Sequence, residues 1–303
     1  MYNIVIGIPT YKRPLMLKKL ILSIIECNLN KTLIKDVNII VVDNDVAKTA
    51  EFVINELKER FYNLYKIIYF NHPVKGISNV RNELIKKAFI LDSDFVVFVD
   101  DDEYVTTEWL NELVKTIVNN KGDMVMGPVS SSFGSNVSIY ISCWIERINY
   151  LNNTKLNFIR TGNLIINMKS LLEKNIWFDP RFNSTGGEDS YFGLRMIKKG
   201  ATIYWAADAI VYETVPENRA NIKWLIKRYY NGANIFTYIL KVEKEYDKLI
   251  MKVLISLIYL ITGAFAIVIV PIPIRKRYWG LLKLSEGIGG LAALFNIRYH
   301  AYK

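Results

Sequence analysis

Three consecutive carboxylates, Asp100, Asp101 and Asp102, follow directly on the apolar run Phe95-Val96-Val97-Phe98-Val99. A run that short, branched and apolar reads as a strand buried on both faces of a parallel sheet. Adjacent carboxylates at its end repel one another. A hard cation shared with substrate phosphate oxygens is the simplest chemistry that relieves this. A second acidic pair lies far downstream, in Gly186-Gly187-Glu188-Asp189. Its glycines let the backbone approach a ligand closely, and a carboxylate there can take a proton from an attacking hydroxyl. One cluster for a metal and one for proton transfer point to group transfer from a phosphate-bearing donor. The plainer readings are a solvated acidic turn for the first and dipole-favoured helix N-terminal acids for the second. A calcium loop is excluded, because Val105 occupies the sixth position, where glycine is required. Metal-free Rossmann cofactor binding is disfavoured, since no G-x-G-x-x-G or Walker glycine loop is present.

Three further segments are candidates. In Pro9-Thr10-Tyr11-Lys12-Arg13-Pro14, helix N-terminal amides, Arg13 and an aromatic ring either hold a nucleotide or form an ordinary capped turn. Asp43 either accepts a hydrogen bond from a base or ribose or simply ends a strand. Arg81, one turn into the helix opened by Gly76-Ile77-Ser78-Asn79, suits a phosphate or a structural acidic partner. Trp177 and Trp205 read first as core residues and second as the wall of a sugar site.

The elements that position these residues alternate. Asn3 to Ile8, Val37 to Val42, Tyr65 to Phe70 and Phe95 to Val99 read as strands. Between them lie helices from Pro14 with an apolar face of Leu17, Leu20, Ile21 and Ile24, from Thr49 to Phe61, and from an N-cap at Ser78 to about Leu91. Alternating β and α units imply a parallel sheet with ligands at the carboxyl ends of its strands. The unusual residues fall at those ends: Pro9-Thr10-Tyr11, Asp43-Asn44-Asp45 and the three aspartates. Met124 to about Ile166 mixes short strands and loops. A helix from Ser190 to Lys199 follows, stopped by Gly200, then short strands around Ile203 and Ile210.

The 303 residues hold one large α/β domain and an appendage. The net charge of +10 comes without a helix-turn-helix, zinc or RNA-binding signature, so a basic surface beside anionic lipid is expected rather than nucleic acid. Cys27 and Cys143 read as reduced core residues. No signal peptide is visible, because Met1 leads straight into strand-like Tyr2 to Ile8; the catalytic part is expected to face the cytoplasm. After a basic, aromatic helix from Ile222 to Leu240, Val253 to Val270 carries no charge and as a helix would be about 27 Å long. Pro271 and Pro273 break it, Arg275-Lys276-Arg277 follow, and a second apolar stretch runs from Trp279 to Phe295. A full span would put the basic trio outside, so a hairpin lying in or dipping into the cytoplasmic leaflet fits better; a buried core helix is the alternative.

Together, IPTYKRP, VVDND, GISNVRN, FVVFVDDDE, RTGNLII and FDPRFNSTGGEDSYFGLRMIKKGA, in this order over roughly Ile4 to Arg228, resemble the family 2 glycosyltransferases. Val211 to Pro216 and the basic helix after it look like the succinoglycan-type glucosyltransferase branch. The resemblance implies a Rossmann-like GT-A α/β fold with a mixed, mostly parallel sheet, plus C-terminal membrane-associated helices. With the hydropathy reading of the C-terminal stretches, the chain divides into a catalytic domain (1–221, nucleotide-binding to 105 and acceptor-binding beyond), a linker helix (222–248) and a membrane-associated hairpin (249–303). The resemblance also implies inverting transfer without a covalent intermediate, from a UDP-sugar by default, to a lipid-linked or cell-surface glycan. Pro9, Thr10, Tyr11, Arg13 and Asp43 would hold base and ribose. Arg81 would fix that pocket or its acids, Asp100 and Asp101 would complete the nucleotide site, and Asp102 would bind Mg²⁺ or Mn²⁺ on the diphosphate. Asp189 would be the general base with Glu188 positioning the acceptor, and Gly162, Asn163, Gly186, Gly187 and Trp205 would be acceptor or sugar candidates. Many relatives keep a histidine near the end of this domain; here that stretch carries Tyr212 and Glu213. Transfer directly to polyprenyl phosphate and a non-catalytic nucleotide-sugar-binding scaffold are the alternatives.

Overall fold

The computed structural model describes residues 1–268 and 274–299, without the side chains of 274–277. The strands are β1 (Tyr2–Thr10), β2 (Ile34–Asp43), β3 (Lys66–Asn71), β4 (Phe95–Val99), β5 (Glu103–Val105), β6 (Met124–Met126), β7 (Val129–Phe133), β8 (Lys155–Leu156), β9 (Asn163–Asn167), β10 (Ile203–Trp205) and β11 (Val211–Val215). The helices are α1 (Pro14–Ile25), α2 (Glu51–Phe61), α3 (Ile77–Ile90), α4 (Trp109–Asn119), α5 (Ile139–Ile145), α6 (Met168–Lys174), α7 (Glu188–Lys198), α8 (Ile222–Val242), α9 (Tyr246–Val268) and α10 (Ile274–Leu294). The chain forms two compact units. The first comprises residues 1–131, 147–183 and 188–214, the second 132–146, 184–187 and 215–303.

The first unit is built on an eight-stranded sheet in the order β3-β2-β1-β4-β9-β6-β10-β8. β1 pairs in parallel with β2 and β4, β2 with β3, and β6 with β10. β9 runs against both β4 and β6, and β8 runs against β10. β9 therefore starts at the edge where β1, β2 and β4 end. Strand alternation fills both faces. Ile4, Ile6 and Ile8 pack with Leu17, Leu20 and Ile21 of α1, whereas Val5 packs with Val80 and Leu84 of α3. Each fully buried aliphatic side chain of this kind contributes about 1.5–3 kcal/mol. A second sheet has the order β5-β11-β7.

Local expectations hold at α1, whose buried residues are the four apolar positions read from sequence. They hold also at Gly200. Its φ of +80° ends α7, with Gly200 N donating to Ile197 O and Ala201 N to Met196 O. Two expectations need correction. α3 is capped by Gly76 (φ 138°) rather than Ser78, because Ser78 N donates at 2.9 Å to Asn183 Oδ1, a cap delivered from a distant loop. Cys27 is buried, but Cys143 is exposed on short α5; both are free thiols.

The second unit packs Ile141, Ile145, Val215, Leu225 and Leu282 into a small core. α8, α9 and α10 approach closely through small residues. A Cβ on Gly263 would lie 2.8 Å from Gly280 O, and one on Gly287 2.7 Å from Ser256 O. The side chains buried on α9 are Lys252, Ser256 and Gly263, while Ile250, Leu254, Ile258, Ile261, Phe265 and Val268 are exposed. This excludes the buried-core-helix alternative for α9 within its unit. Among the described residues, α9 is the one helix long and apolar enough to cross a membrane, with mean hydropathy 2.2. Residues 269–273, including the two prolines, lie outside the described residues, as do the side chains of the basic trio.

Candidate active site

The parallel register sets the first half of the site. β1 and β4 pair Gly7 with Phe98; carried three residues further, Thr10 falls opposite Asp101. Thr10 Oγ1 donates to Asp101 Oδ2 at 2.7 Å, and Tyr11 N reaches the same oxygen at 3.4 Å. Arg13 Nη1 bridges Asp101 Oδ1 at 3.0 Å and Asp102 Oδ2 at 2.8 Å. Pro9 lies in the ladder opposite Val42. Burial pushes the Asp101 carboxyl up to about 6, with Arg13 and Thr10 opposing and the flanking aspartates adding to the rise.

Arg81 joins the two acidic motifs. Buried in the first turns of α3, it donates through Nη2 to Asp100 Oδ1 at 3.1 Å and through Nη1 to Glu188 Oε1. Cross-links from α3 hold this arrangement. Ser78 Oγ donates to Asp179 O at 2.8 Å, and Asn82 exchanges two 2.8 Å bonds with the backbone of Phe178. Phe178 stacks on Phe192 of α7 with centroids 4.2 Å apart. Burial raises the Glu188 carboxyl, Arg81 draws it down, and Asp189 adds to the rise. Asp189 is half-buried in the first turn of α7 and accepts from Ser190 N at 2.6 Å. α7 starts at Glu188, two residues earlier than expected, so both acids sit on the positive end of the helix.

Other expected site residues have different surroundings. Asp43 is fully buried; it accepts from Asp45 N at 2.9 Å, Ala50 N at 3.1 Å and the Tyr69 hydroxyl at 3.0 Å. Asn163 is buried and its amide is consumed by Trp109 Nε1, Pro128 O and Ala209 O. Trp205 is in the core, its Nε1 donating to Asn149 Oδ1 at 2.8 Å. Trp177 is half-buried and donates to Asn175. Gly186 and Gly187, in the second unit, have φ of 78° and 85°, the left-handed region that favours glycine.

Gly162 lies directly on the acidic cluster: a Cβ there would sit 2.6 Å from Glu103 Oε1 and 3.3 Å from Asp100 Oδ2. Glu103 was not singled out from sequence, although it is the fourth acid of the run. It is buried and accepts from Asp100 N at 2.9 Å. Burial and then Asp100 push its carboxyl well above the ordinary range, with Arg147 opposing. Arg147 donates to Glu213 Oε2 at 2.7 Å, and Tyr212 stacks on Tyr104 at 5.2 Å. The stretch without the relatives' histidine is thus an ion pair and an aromatic stack. No sequence spacing signals Arg147, because its partner is brought by β11 pairing with β5.

The partly exposed carboxylates of Asp100 and Asp102 offer hard oxygens suited to Mg²⁺ or Mn²⁺. Among the described residues no group of three or more acids, histidines or cysteines is arranged to hold a metal. A cation held there would take its remaining ligands from phosphate oxygens and water, and Asp102, now paired with Arg13, would be its main protein donor.

Residues 5–174 match the family model described as Glycosyl transferase family 2, and residues 95–296 that of Glycosyl transferase family group 2. The chain is 31% identical over 239 residues to the succinoglycan biosynthesis protein ExoM of Rhizobium meliloti (strain 1021), covering 76% of this chain and 73% of that protein. It is 27% identical over 255 residues to the chondroitin synthase of Escherichia coli, covering 71% of this chain and 35% of the synthase. Its fold is similar to that of S. aureus TarS 1-349 in complex with UDP-GlcNAc (TM-score 0.55, 15% identity, 99% of this chain and 93% of that one). It is also similar to GalNAc-T7 with UDP, GalNAc and Mn2+ (TM-score 0.59, 13% identity, 80% and 48%). The α/β architecture is of the GT-A type, and the chain belongs to glycosyl transferase family 2.

Proposed function

We propose that the chain transfers a sugar from a UDP-sugar, with inversion, to a hydroxyl of a lipid-linked or cell-surface glycan. The observation that carries this reading is the buried Arg81 shared by Asp100 and Glu188, which ties the strand-end acids to the helix bearing Asp189. The UDP-GlcNAc bound to a similar fold supports the donor class, and the relatives named for succinoglycan and chondroitin synthesis support a glycan acceptor.

In this reading Thr10, Tyr11 and Arg13 border the nucleotide and Asp100 the ribose. Asp102 would hold Mg²⁺ or Mn²⁺, which when bound would offset charge on the leaving diphosphate. Glu188, held by Arg81, fixes the start of α7. Asp189 takes the acceptor hydroxyl's proton; the acceptor oxygen bonds to the anomeric carbon, and the bond to the diphosphate oxygen breaks with its electron pair leaving on UDP. Residues 1–221 form the catalytic part, 222–248 a linker helix, and 249–303 the part that meets the cytoplasmic face of the membrane. The outward apolar side of α9 supports contact with a membrane, not the side of it that is met.

UDP-, dTDP- and GDP-sugars, each with and without Mn²⁺, test the donor site by thermal shift. A ligand at 100-fold over Kd adds about 2.7 kcal/mol of stability. A Mn²⁺-dependent shift with UDP-sugar alone is expected. Asp189→Asn is then expected to lower UDP release onto a lipid-linked oligosaccharide by about 10²–10⁴-fold with donor affinity unchanged. Normal turnover by that variant would remove Asp189 from the role of base.

A further inference from the structure

The segment that leads into β9 is pinned on two sides. Gly193 lies one helical turn beyond Asp189, on the same face of α7. A Cβ on Gly193 would be 2.6 Å from Ile159 Cγ1, so that face rests on Ile159. At the other end Gly162 touches Glu103 and Asp100, and Asn163 is locked by three hydrogen bonds. Thr161 is buried, and Arg160 is the exposed residue of the segment. Arg160 is therefore held between the proposed base and the acidic cluster.

Its charge has no structural employment. Arg13, Arg147 and Arg181 each meet a carboxylate at 2.7–3.0 Å. Arg160 makes no ion pair among the described residues; its guanidinium carbon lies 5.6 Å from the Phe158 ring centroid. Arg160 and Arg147 line one crevice together with Asn163 and Trp205. The adjoining wall is aromatic: Tyr150 meets Trp205 at 5.3 Å and Phe158 at 6.1 Å between centroids. Partial burial, and after it the charge of Arg147, pulls the Arg160 guanidinium below its usual range, while Asp189 supports the cation. Arg160, without an ion pair and beside the Glu213-paired Arg147, offers its planar fork on the side of Asp189, a geometry that matches a carboxylate or a phosphate.

We infer that the acceptor glycan carries an anionic group, carboxylate or phosphate, close to its attacking hydroxyl, and that Arg160, with Arg147 beside it, binds that group. This rests on the sugar-transfer reading above and specifies its acceptor. Arg160 would then discriminate acceptors without touching the donor.

The test uses the full chain with UDP and Mn²⁺ and three probes: methyl β-D-glucuronide, methyl β-D-glucoside 6-phosphate and neutral methyl β-D-glucoside. Calorimetry is expected to show at least one acidic probe binding tenfold or more tighter than the neutral one; the tighter of the two acids names the anion. Arg160→Gln is expected to erase the preference, Arg160→Lys to keep part of it, and both to leave UDP affinity within twofold of the parent. UDP bound, with acidic and neutral probes indistinguishable in the parent, would overturn the inference alone. So would a preference that survives in Arg160→Gln. Failure of UDP to bind the parent chain would overturn the sugar-transfer reading beneath it.

Discussion

Arg13 and Arg81 each bridge two carboxylates, yet they are different devices. Arg13, 36% exposed in its side chain, clips Asp101 to Asp102 within a few residues of the strand ends. Arg81, 5% exposed, joins Asp100 to an acid on another helix and is closed off from water. A half-exposed guanidinium can turn from its carboxylates at smaller cost, because solvent takes up its charge. A buried one cannot, because an uncompensated charge would remain in a low-dielectric interior. On the sugar-transfer reading, Arg13 would belong to the part of the site that adjusts to a donor; Arg81 belongs to the frame that ties Asp100 to α7.

The largest expected effect breaks the frame. Arg81→Ala leaves Glu188 and Asp100 without their shared cation and is expected to destabilise the chain by about 3–5 kcal/mol in chemical denaturation at pH 7. A loss below about 1 kcal/mol would mean that Arg81 is no more structural than Arg13. The next concerns Asp101. Its folded-state pKa of about 6 lies above the unfolded value near 4. The folded chain then holds the extra proton between those values. The stabilisation from protonated Asp101 is complete below pH 4 and is lost as pH rises through 6. Relative to Asp101→Asn, the parent is expected to lose on the order of 3 kcal/mol between pH 4 and pH 7. Parallel pH profiles of the two proteins would refute this. The smallest effect is Arg13→Ala, expected to cost about 1–2 kcal/mol at pH 7 and less below pH 6, where Asp101 takes up a proton. Its larger consequence is expected in donor affinity, read by calorimetry with UDP.

The same contrast separates what the sequence discloses from what it hides. Thr10, Arg13 and the aspartates are legible because strand ends in a parallel sheet share one edge, and adjacency along the chain does the rest. Arg81 was legible as a cation suited to a phosphate or an acidic partner, but its pairing with Glu188 depends on how α7 is held against α3 through Phe178 and Asn82. Glu103 was hidden for the same reason: its neighbours Gly162 and Arg147 arrive from distant segments. Asp43 shows the converse. Its motif was visible, but the bonds by which its carboxylate ties its own loop, from Asp45 N and Ala50 N, were not.

The reversed direction of β9 has a corollary. Parallel strands deliver to the common edge the residues that follow them; β9 delivers the residues that precede it, Arg160 to Gly162. That approach belongs to no parallel crossover. On the sugar-transfer reading, a change of length in the loop between β8 and Ile159 would alter the acceptor side without shifting the registers of β1, β2 and β4.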